Sequence, residues 1–418
     1  MTPATRTRLY LTMRLRRLAK ALVKLARVVC VNAFALLRAV PPLRRVLHLP
    51  SNNIAPLTLA SANGMRVRNV DPAEPFLRKM PNFAADETAP PESLVRAQAG
   101  ACPATFVVEI DDGYFWSHGG GTAMTHDRRI VPELSKDVWG PRLRSAYARP
   151  VLPRPRRLAG LTLSLVTPEA AGNYHHWTMD CLSRAGLAER AGFELRDFDY
   201  VLVKHRDHPY QNETLARLGF APDQLVRVGN NAHFETDLLV VPAVRHDNMA
   251  VNRADTLYVR RLFLPDEPPA SAARRRLYVG RRDAAFRRVL NEDAFMPMLR
   301  AHGFEEVSMS RLSVREQAKL FSEAEIIVGP NGAALSNLVY ANRACRVIEF
   351  FAPGWIVPYH WVISANLGLD YTALIGRGPR SFPREFRQDI EIDVAQLKAA
   401  LDSATLHSAL RNPHSAFK

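Results

Sequence analysis

Small residues crowd one predicted strand-to-helix junction of this chain, Gly329-Pro330-Asn331-Gly332-Ala333-Ala334. An apolar strand, Ile326 to Gly329, should enter the junction, and a helix, Ala333 to Ala341, should leave it. Such a turn leaves backbone amides bare and the helix start adds a partial positive charge, so a phosphate or diphosphate fits there. The same residues would equally serve close helix–sheet packing, and the turn alone does not choose. It has neither the Lys-Ser/Thr of a P-loop nor the GxGxxG of a dinucleotide site. Upstream, Arg281, Arg287 and Arg288 carry guanidinium groups that grip phosphate oxygens bidentately. Arg282 lies in the same run, and a solvated basic loop is the competing reading. Glu349 ends the next strand, where a carboxylate can accept from ribose hydroxyls or join a salt bridge.

A second constellation lies in the first half of the chain. His176 and Asp180 are four residues apart and share a helix face, with Asn173 and Trp177 on the neighbouring one. One of the pair can take a hydroxyl proton while the other orients it. The alternative is an N-capping Asn173, a packed Trp177 and a His–Asp pair without chemistry; His175 has no assigned role. Asp197-Phe198-Asp199 has the DxD form of a metal-holding loop, but it precedes its strand instead of following it and is read as chance. Gly119-Gly120-Gly121 reads as a loop. No other His, Asp or Glu cluster has metal-ligand spacing.

Alternating strands and helices must position these residues. The first half predicts strands at Leu161 to Thr167, Tyr200 to Val203 and Leu238 to Val241, with helices at Tyr174 to Arg190 and Asn212 to Leu218. Thr105 to Ile110 and Tyr114 to Trp116 flank Asp112-Gly113 as a β-hairpin. After a Pro- and Ala-rich linker, 265–273, the alternation restarts: strands at Leu277 to Gly280, Glu306 to Met309, Ile326 to Gly329 and Arg346 to Phe350, with helices between. Short apolar strands separated by helices imply parallel sheets covered on both faces. The expected organisation is a basic amphipathic arm (1–50), an irregular segment (51–100), an acceptor-side α/β domain (101–265), a donor-side α/β domain (274–378), and a C-terminal tail with a helix over Val394 to Leu410 (379–418).

Charge is concentrated rather than spread. Of a formal +15, residues 1–50 supply eleven Lys/Arg and no acid, leaving +4 for the other 368 residues. A duplex-binding surface would distribute its cations over the fold, so nucleic acid is not an expected partner. From Leu9 to Leu37 the arm reads as a helix with Leu15, Leu18, Leu22, Leu25, Val29 and Leu36 on one face. Arg16, Arg17, Lys20, Lys24 and Arg27 lie elsewhere. Its longest uncharged run, Val28 to Leu37, is about half a membrane span, and it makes a poor signal peptide. An interfacial helix drawn to anionic lipid explains both features, and a disordered basic extension is the alternative. Four scattered cysteines, Cys30, Cys102, Cys181 and Cys345, fit a reducing compartment.

The segment from Glu325 to Glu349 resembles the C-terminal signature of glycosyltransferase family 61, a strand followed by G-P-H-G-A-G-L-[ST]-N, an apolar helix and V-I-E. Leu277 to Glu292 (LYVGRRDAAFRRVLNE) resembles that family's Y-[IV]-S-R … R-R … N-E block, and Gly303-Phe304, Leu312 to Glu316 and Phe321 fall at its intervening positions. Residues 172–184 (GNYHHWTMDCLSR) resemble its N-[YF]-x-H-W-x-x-[DE] motif. Three positions depart: Asn331 replaces the usual His, Ala334 the second Gly, and Gly280 the Ser before the Arg. The resemblance implies an α/β fold of GT-B type, with two Rossmann-like doubly wound domains facing across a cleft. It implies an inverting, metal-independent transferase moving a hexosyl or pentosyl group from a nucleotide-sugar donor to a glycan acceptor, in capsule or surface-polysaccharide assembly. No cofactor is expected; the nucleotide sugar is a substrate. The resemblance casts Asp180 and His176 as catalytic, and Arg281, Arg288, Gly329, Asn331, Gly332, Ala333, Asn337 and Glu349 as donor-binding. Asn173 and Trp177 fall on the acceptor side. With the arm, it implies a cytoplasmic protein peripheral to the inner face of the membrane. Three rivals remain: a non-catalytic nucleotide- or glycan-binding module, motivated by Asn331, a nicotinamide-dependent oxidoreductase and a nucleic-acid binder.

Overall fold

The computed structural model describes residues 3–83, 89–136, 144–244, 251–378 and 385–411. The chain divides into two compact units, Met1–Ala73 with Pro103–His246, and Glu74–Cys102 with Asp247–Lys418. Both are α/β.

The first unit is built on a mixed sheet. Its strand order is Met65–Asp71, Thr105–Asp111, His233–Pro242, Arg156–Ser164, Tyr200–Val203 and Leu225–Arg227. The last four run parallel, Thr105–Asp111 runs antiparallel to them, and Met65–Asp71, antiparallel to its neighbour, runs in their direction again. Between Arg156–Ser164 and His233–Pro242 the order reverses, because the chain lays two strands to one side before returning to the other. Such a switch point opens a crevice at the carboxyl ends of its strands.

The Asp112-Gly113 turn is not the expected hairpin. Thr105–Asp111 and Tyr114–Trp116 lie end to end along the same long strand, His233–Pro242. Asp112, with φ of 47°, and Gly113 form a bulge between them. A side chain at Gly113 would meet Leu239 Cβ at 2.8 Å, so only glycine lets the two strands stay this close. The true hairpin pairs Tyr114–Trp116 with Thr122–Met124 across the triple-glycine loop.

The second unit holds a six-stranded sheet, every pair parallel. The order is Phe304–Val307, Arg275–Val279, Ala324–Pro330, Arg346–Phe351, Asp370–Ile375 and Asn82–Phe83. The strands contributed after residue 274 have the doubly wound order 2-1-3-4-5, with the switch between Arg275–Val279 and Ala324–Pro330. Three domain expectations change here. Residues 51–100 are not irregular: they supply Met65–Asp71 to one unit, and a ribbon (Glu74–Leu77 with Ala99–Cys102) plus the edge strand Asn82–Phe83 to the other. Helix Arg253–Arg261 belongs to the second unit, not the first, because Arg260 is buried there and donates to Val339 O (2.9 Å) and Ala341 O (2.8 Å). Nor is the C-terminal segment an appendage, since Leu397 and Leu401 of helix Val394–Arg411 are fully buried in the second unit's core.

The arm forms a helix, Pro3–Ala33, followed by two short ones, Ala35–Ala39 and Pro41–Val46. Its far end is docked. Val31, Leu37 and Leu47 pack against a cluster containing Trp116, Ile130 and Tyr147. Arg38 is buried and donates to the carbonyls of Tyr147 and Val31 (2.5 and 2.8 Å). Residues up to 50 are therefore not one free arm. The stripe Leu15, Leu18, Leu22, Leu25 and Val29 is 56–64% exposed. No helix among the described residues is long and apolar enough to cross a membrane.

Candidate active site

The second unit's switch point gathers the phosphate-binding candidates. Gly329 is the next-to-last residue of its strand, where an added Cβ would meet Val279 O at 2.7 Å, so this glycine serves close strand packing. Gly332 has a different job. An added Cβ there would fall on the Arg281 guanidinium, 2.8 Å from Cζ and closer still to Nη1. Its φ of −176° is open to any residue, so it is space rather than backbone freedom that requires glycine. Residues Ala333–Tyr340 form a 3₁₀ helix instead of the expected α-helix, with Leu335 N donating to Gly332 O at 2.9 Å. Asn337, fully buried, donates to Gln317 Oε1 (2.6 Å) and Ala334 O (3.0 Å), which ties the tight turn to the helix Val314–Ser322. Ala333 and Ala334 remain half-exposed at its start, where the first amides of a helix have no partner inside it.

Two arginines face this turn, and the second is not the expected one. Arg287 Nη1 donates to Asn331 Oδ1 at 3.0 Å. Arg288 points outward, where its side chain and amide bind Asp389 (2.8 and 2.9 Å). Arg288 also accepts Ile390 N–H, so pairing with the segment around residue 390 fixes the direction in which Arg288 projects and turns its neighbour inward. Arg287 has φ of 56°, a strained value for a residue other than glycine, held because the loop is pinned on that side. Burial lowers the Arg281 guanidinium below its ordinary pKa. Burial, then the neighbouring Arg281 charge, lowers Arg287 to about 10. Both Nε atoms are buried without a protein partner. Two crowded cations with unspent donors are unfavourable alone and become favourable when an anion arrives.

Glu349 is fully buried and committed. Its Oε1 accepts from Asn331 Nδ2 and bonds His360 Nδ1, each at 2.7 Å, and its Oε2 accepts from the Tyr371 hydroxyl. Burial first, and the carboxylate second, push that phenol well above its ordinary range. Glu349 therefore matches the salt-bridge and packing alternative the sequence offered: it orients Asn331, which bonds Arg287. His360 and Tyr371 carried no motif and only tertiary structure brings them in. Arg282 lies outside, paired with Glu292 (2.6 Å).

In the first unit, the chain leaves Arg156–Ser164 at the switch point and enters a helix at Tyr174. Asn173 caps it, accepting from His175 N at 2.9 Å and His176 N at 3.4 Å. Trp177 is fully buried and donates to Thr214 Oγ1 at 2.9 Å. These two residues therefore build the helix start. The turn Trp177–Leu182 is π-helical, an arrangement frequent at functional sites. Across it His176 Nδ1 meets Asp180 Oδ2 at 2.8 Å, with His176 9% and Asp180 8% exposed. Glu169 Oε2 stands 4.0 Å from the same nitrogen. Arg184 binds Val166 O (2.7 Å) and Pro242 O (2.9 Å), tying together the two strand ends that flank the switch. The DxD carboxylate Asp199 is spent on Leu161 N–H at 2.7 Å.

Each unit thus places one reactive cluster where its own sheet reverses order. Residues 174–348 match the family model described as Glycosyltransferase 61. Comparison with curated proteins finds no match.

Proposed function

We propose, from the match of residues 174–348 to the Glycosyltransferase 61 family model, an inverting, metal-independent transfer of a sugar from a nucleotide diphosphate to a glycan hydroxyl. The observation that carries this reading is the pair Arg281–Arg287 over Gly332, two under-neutralised cations at a switch point. They would hold the diphosphate, and their charge would stabilise it as it leaves. We assign the two units the acceptor and donor roles of a GT-B transferase.

His176 is the base in this reading. Its Nδ1 meets Asp180, which fixes the ring's orientation, and we assign the acceptor proton to Nε2. The acceptor oxygen attacks the anomeric carbon, and the bond to the diphosphate breaks with its electron pair leaving on the diphosphate. The acceptor proton passes to His176 Nε2, and Asp180 steadies the imidazolium. The exposed stripe of Leu15, Leu18, Leu22, Leu25 and Val29, opposed by Lys20, Lys24 and Arg27, supports seating at an anionic membrane surface, for which we propose the inner face. A surface-polysaccharide role is consistent with that placement.

The test is turnover across a panel of nucleotide sugars and glycan acceptors by wild type, His176→Ala and Asp180→Asn at saturating donor. His176→Ala should lose about two to four orders of magnitude and Asp180→Asn less, with nucleoside diphosphate affinity unchanged in both. Tight nucleotide binding with no turnover by wild type would favour the non-catalytic binding module.

A further inference from the structure

A cavity of about 840 Å³ lies wholly within the second unit, at the amino ends of its parallel strands. Arg346 and Asp370, the first residues of their strands, line it, as does Asn82 of the edge strand. The ribbon residues Phe76 to Lys79 and the helix start at Asn252-Arg253 form further walls. Doubly wound sheets bind their nucleotide at the carboxyl ends, so this cavity is separate from the Arg281–Arg287 site. Its volume falls in the range of ligand sites.

The charge is unbalanced. Five cations line it (Arg78, Lys79, Arg253, Arg343, Arg346) against two acids (Glu74, Asp370), a difference of +3. Three of the five are spent. Arg78 donates to Ala97 O at 2.6 Å and stacks 3.7 Å over the Phe76 ring. Arg343 donates to Leu367 O at 2.8 Å and pairs with Glu267 at 3.0 Å. Arg346 lies 3.9 Å from Asp370 and donates to the Ala404 carbonyl. Arg253 gives only its Nε, to Asn366 O at 3.2 Å. The Lys79 ammonium makes no hydrogen bond or ion pair among the described residues. Arg253 also opens a helix, where the backbone adds partial positive charge.

The remaining lining alternates amides with an apolar edge. Asn82 brings a side-chain amide whose nitrogen donates to Asp370 Oδ1 at 2.9 Å, and Asn252 caps the helix start by accepting from Asp255 N at 2.7 Å, while Leu77, 80% exposed, and Phe76 offer flat carbon surface. Amides match sugar hydroxyls, carbon surface matches the C–H faces of pyranose rings, and the two unspent cations match carboxylates. We propose that this cavity binds a carboxylate-bearing oligosaccharide, with Lys79 and Arg253 gripping its acidic groups. The choice of a sugar chain over another anion rests on the transferase reading above. Such a site would retain an acidic glycan on the enzyme away from the transfer centre.

Full-length protein is titrated calorimetrically with tetragalacturonate, with its carboxyl-reduced neutral counterpart, and with UDP, for wild type and Lys79→Glu/Arg253→Glu. Both positions are exposed, and single Lys79→Glu, which breaks no contact, guards against a folding artefact. Tetragalacturonate should bind wild type and weaken at least ten-fold in the double variant and several-fold in Lys79→Glu. The neutral tetrasaccharide should bind wild type at least ten-fold more weakly than the acid. UDP affinity should be the same in all three proteins, and UDP should not displace the tetrasaccharide. Absent or variant-insensitive tetragalacturonate binding overturns the proposal, as does equal binding of the neutral sugar or displacement by UDP. Should UDP bind none of the proteins while tetragalacturonate binds as described, the cavity assignment stands and the nucleotide-site reading fails instead.

Discussion

Gly332→Ala isolates the anion site from the fold. The residue is extended, so the backbone tolerates alanine, and the three atoms nearest the new methyl all belong to the Arg281 side chain. Arg281 Cζ would have to retreat from 2.8 Å to the about 3.5 Å of ordinary carbon contact, and Nη1 further. A side-chain end can move that far cheaply, so the unliganded protein should keep its stability within about 0.5 kcal/mol. A guanidinium displaced by that much no longer meets a phosphate oxygen. A charge-assisted hydrogen bond contributes about 1.5–3 kcal/mol, so UDP or another nucleoside diphosphate should bind about 10- to 150-fold more weakly. Calorimetric titration measures the affinity and urea unfolding the stability. In an Arg281→Ala background the Gly332→Ala change should then cost almost nothing, a strongly non-additive cycle. Undiminished affinity in Gly332→Ala, or full additivity with Arg281→Ala, would refute the role of Arg281.

Arg287→Ala should weaken nucleoside diphosphate binding at least ten-fold, whereas Arg288→Ala, paired with Asp389 away from the site, should leave it unchanged in the same titration. Burial lowers His233 to about 4, so its neutral form is the folded one. Stability is then present above the unfolded pKa near 6.5 and lost as pH falls from there toward 4, by up to about 3 kcal/mol. Urea unfolding at pH 7 and 4.5 should show this loss in wild type and a smaller one in His233→Gln; equal losses contradict it. Leu18→Ser, Leu22→Ser and Leu25→Ser together should abolish sedimentation with vesicles containing phosphatidylserine while leaving the thermal midpoint unmoved, because these side chains are more than half exposed.

The parallel α/β rhythm was legible because buried strands and their covering helices are written in apolar period. Tyr200–Val203 falls where the pattern put it, and Glu292–Ala301 is one of the helices expected between the later strands. What failed was whatever depends on partners distant in sequence. Residues 51–100 lack clear periodicity because their strands are sheet edges and ribbons, stabilised by neighbours contributed from elsewhere. Asp112-Gly113 has hairpin chemistry, but a third strand, His233–Pro242, makes it a bulge. At the site, the sequence favoured Arg288 over Arg287, and only Asp389, about a hundred residues away, shows that Arg288 turns outward and Arg287 inward. Glu349 was visible as a strand-end acid, but its three partners include His360 and Tyr371, which no motif marked.

The most direct test of the account is release of nucleoside diphosphate from a panel of nucleotide sugars by the full-length protein, in the presence of glycan acceptors, compared with Arg281→Ala/Arg287→Ala. The account predicts release from at least one donor by wild type and a loss of two orders of magnitude or more in the variant, whose fold is unchanged by circular dichroism. Release that persists undiminished without both arginines, or no release from any donor by wild type, would contradict it.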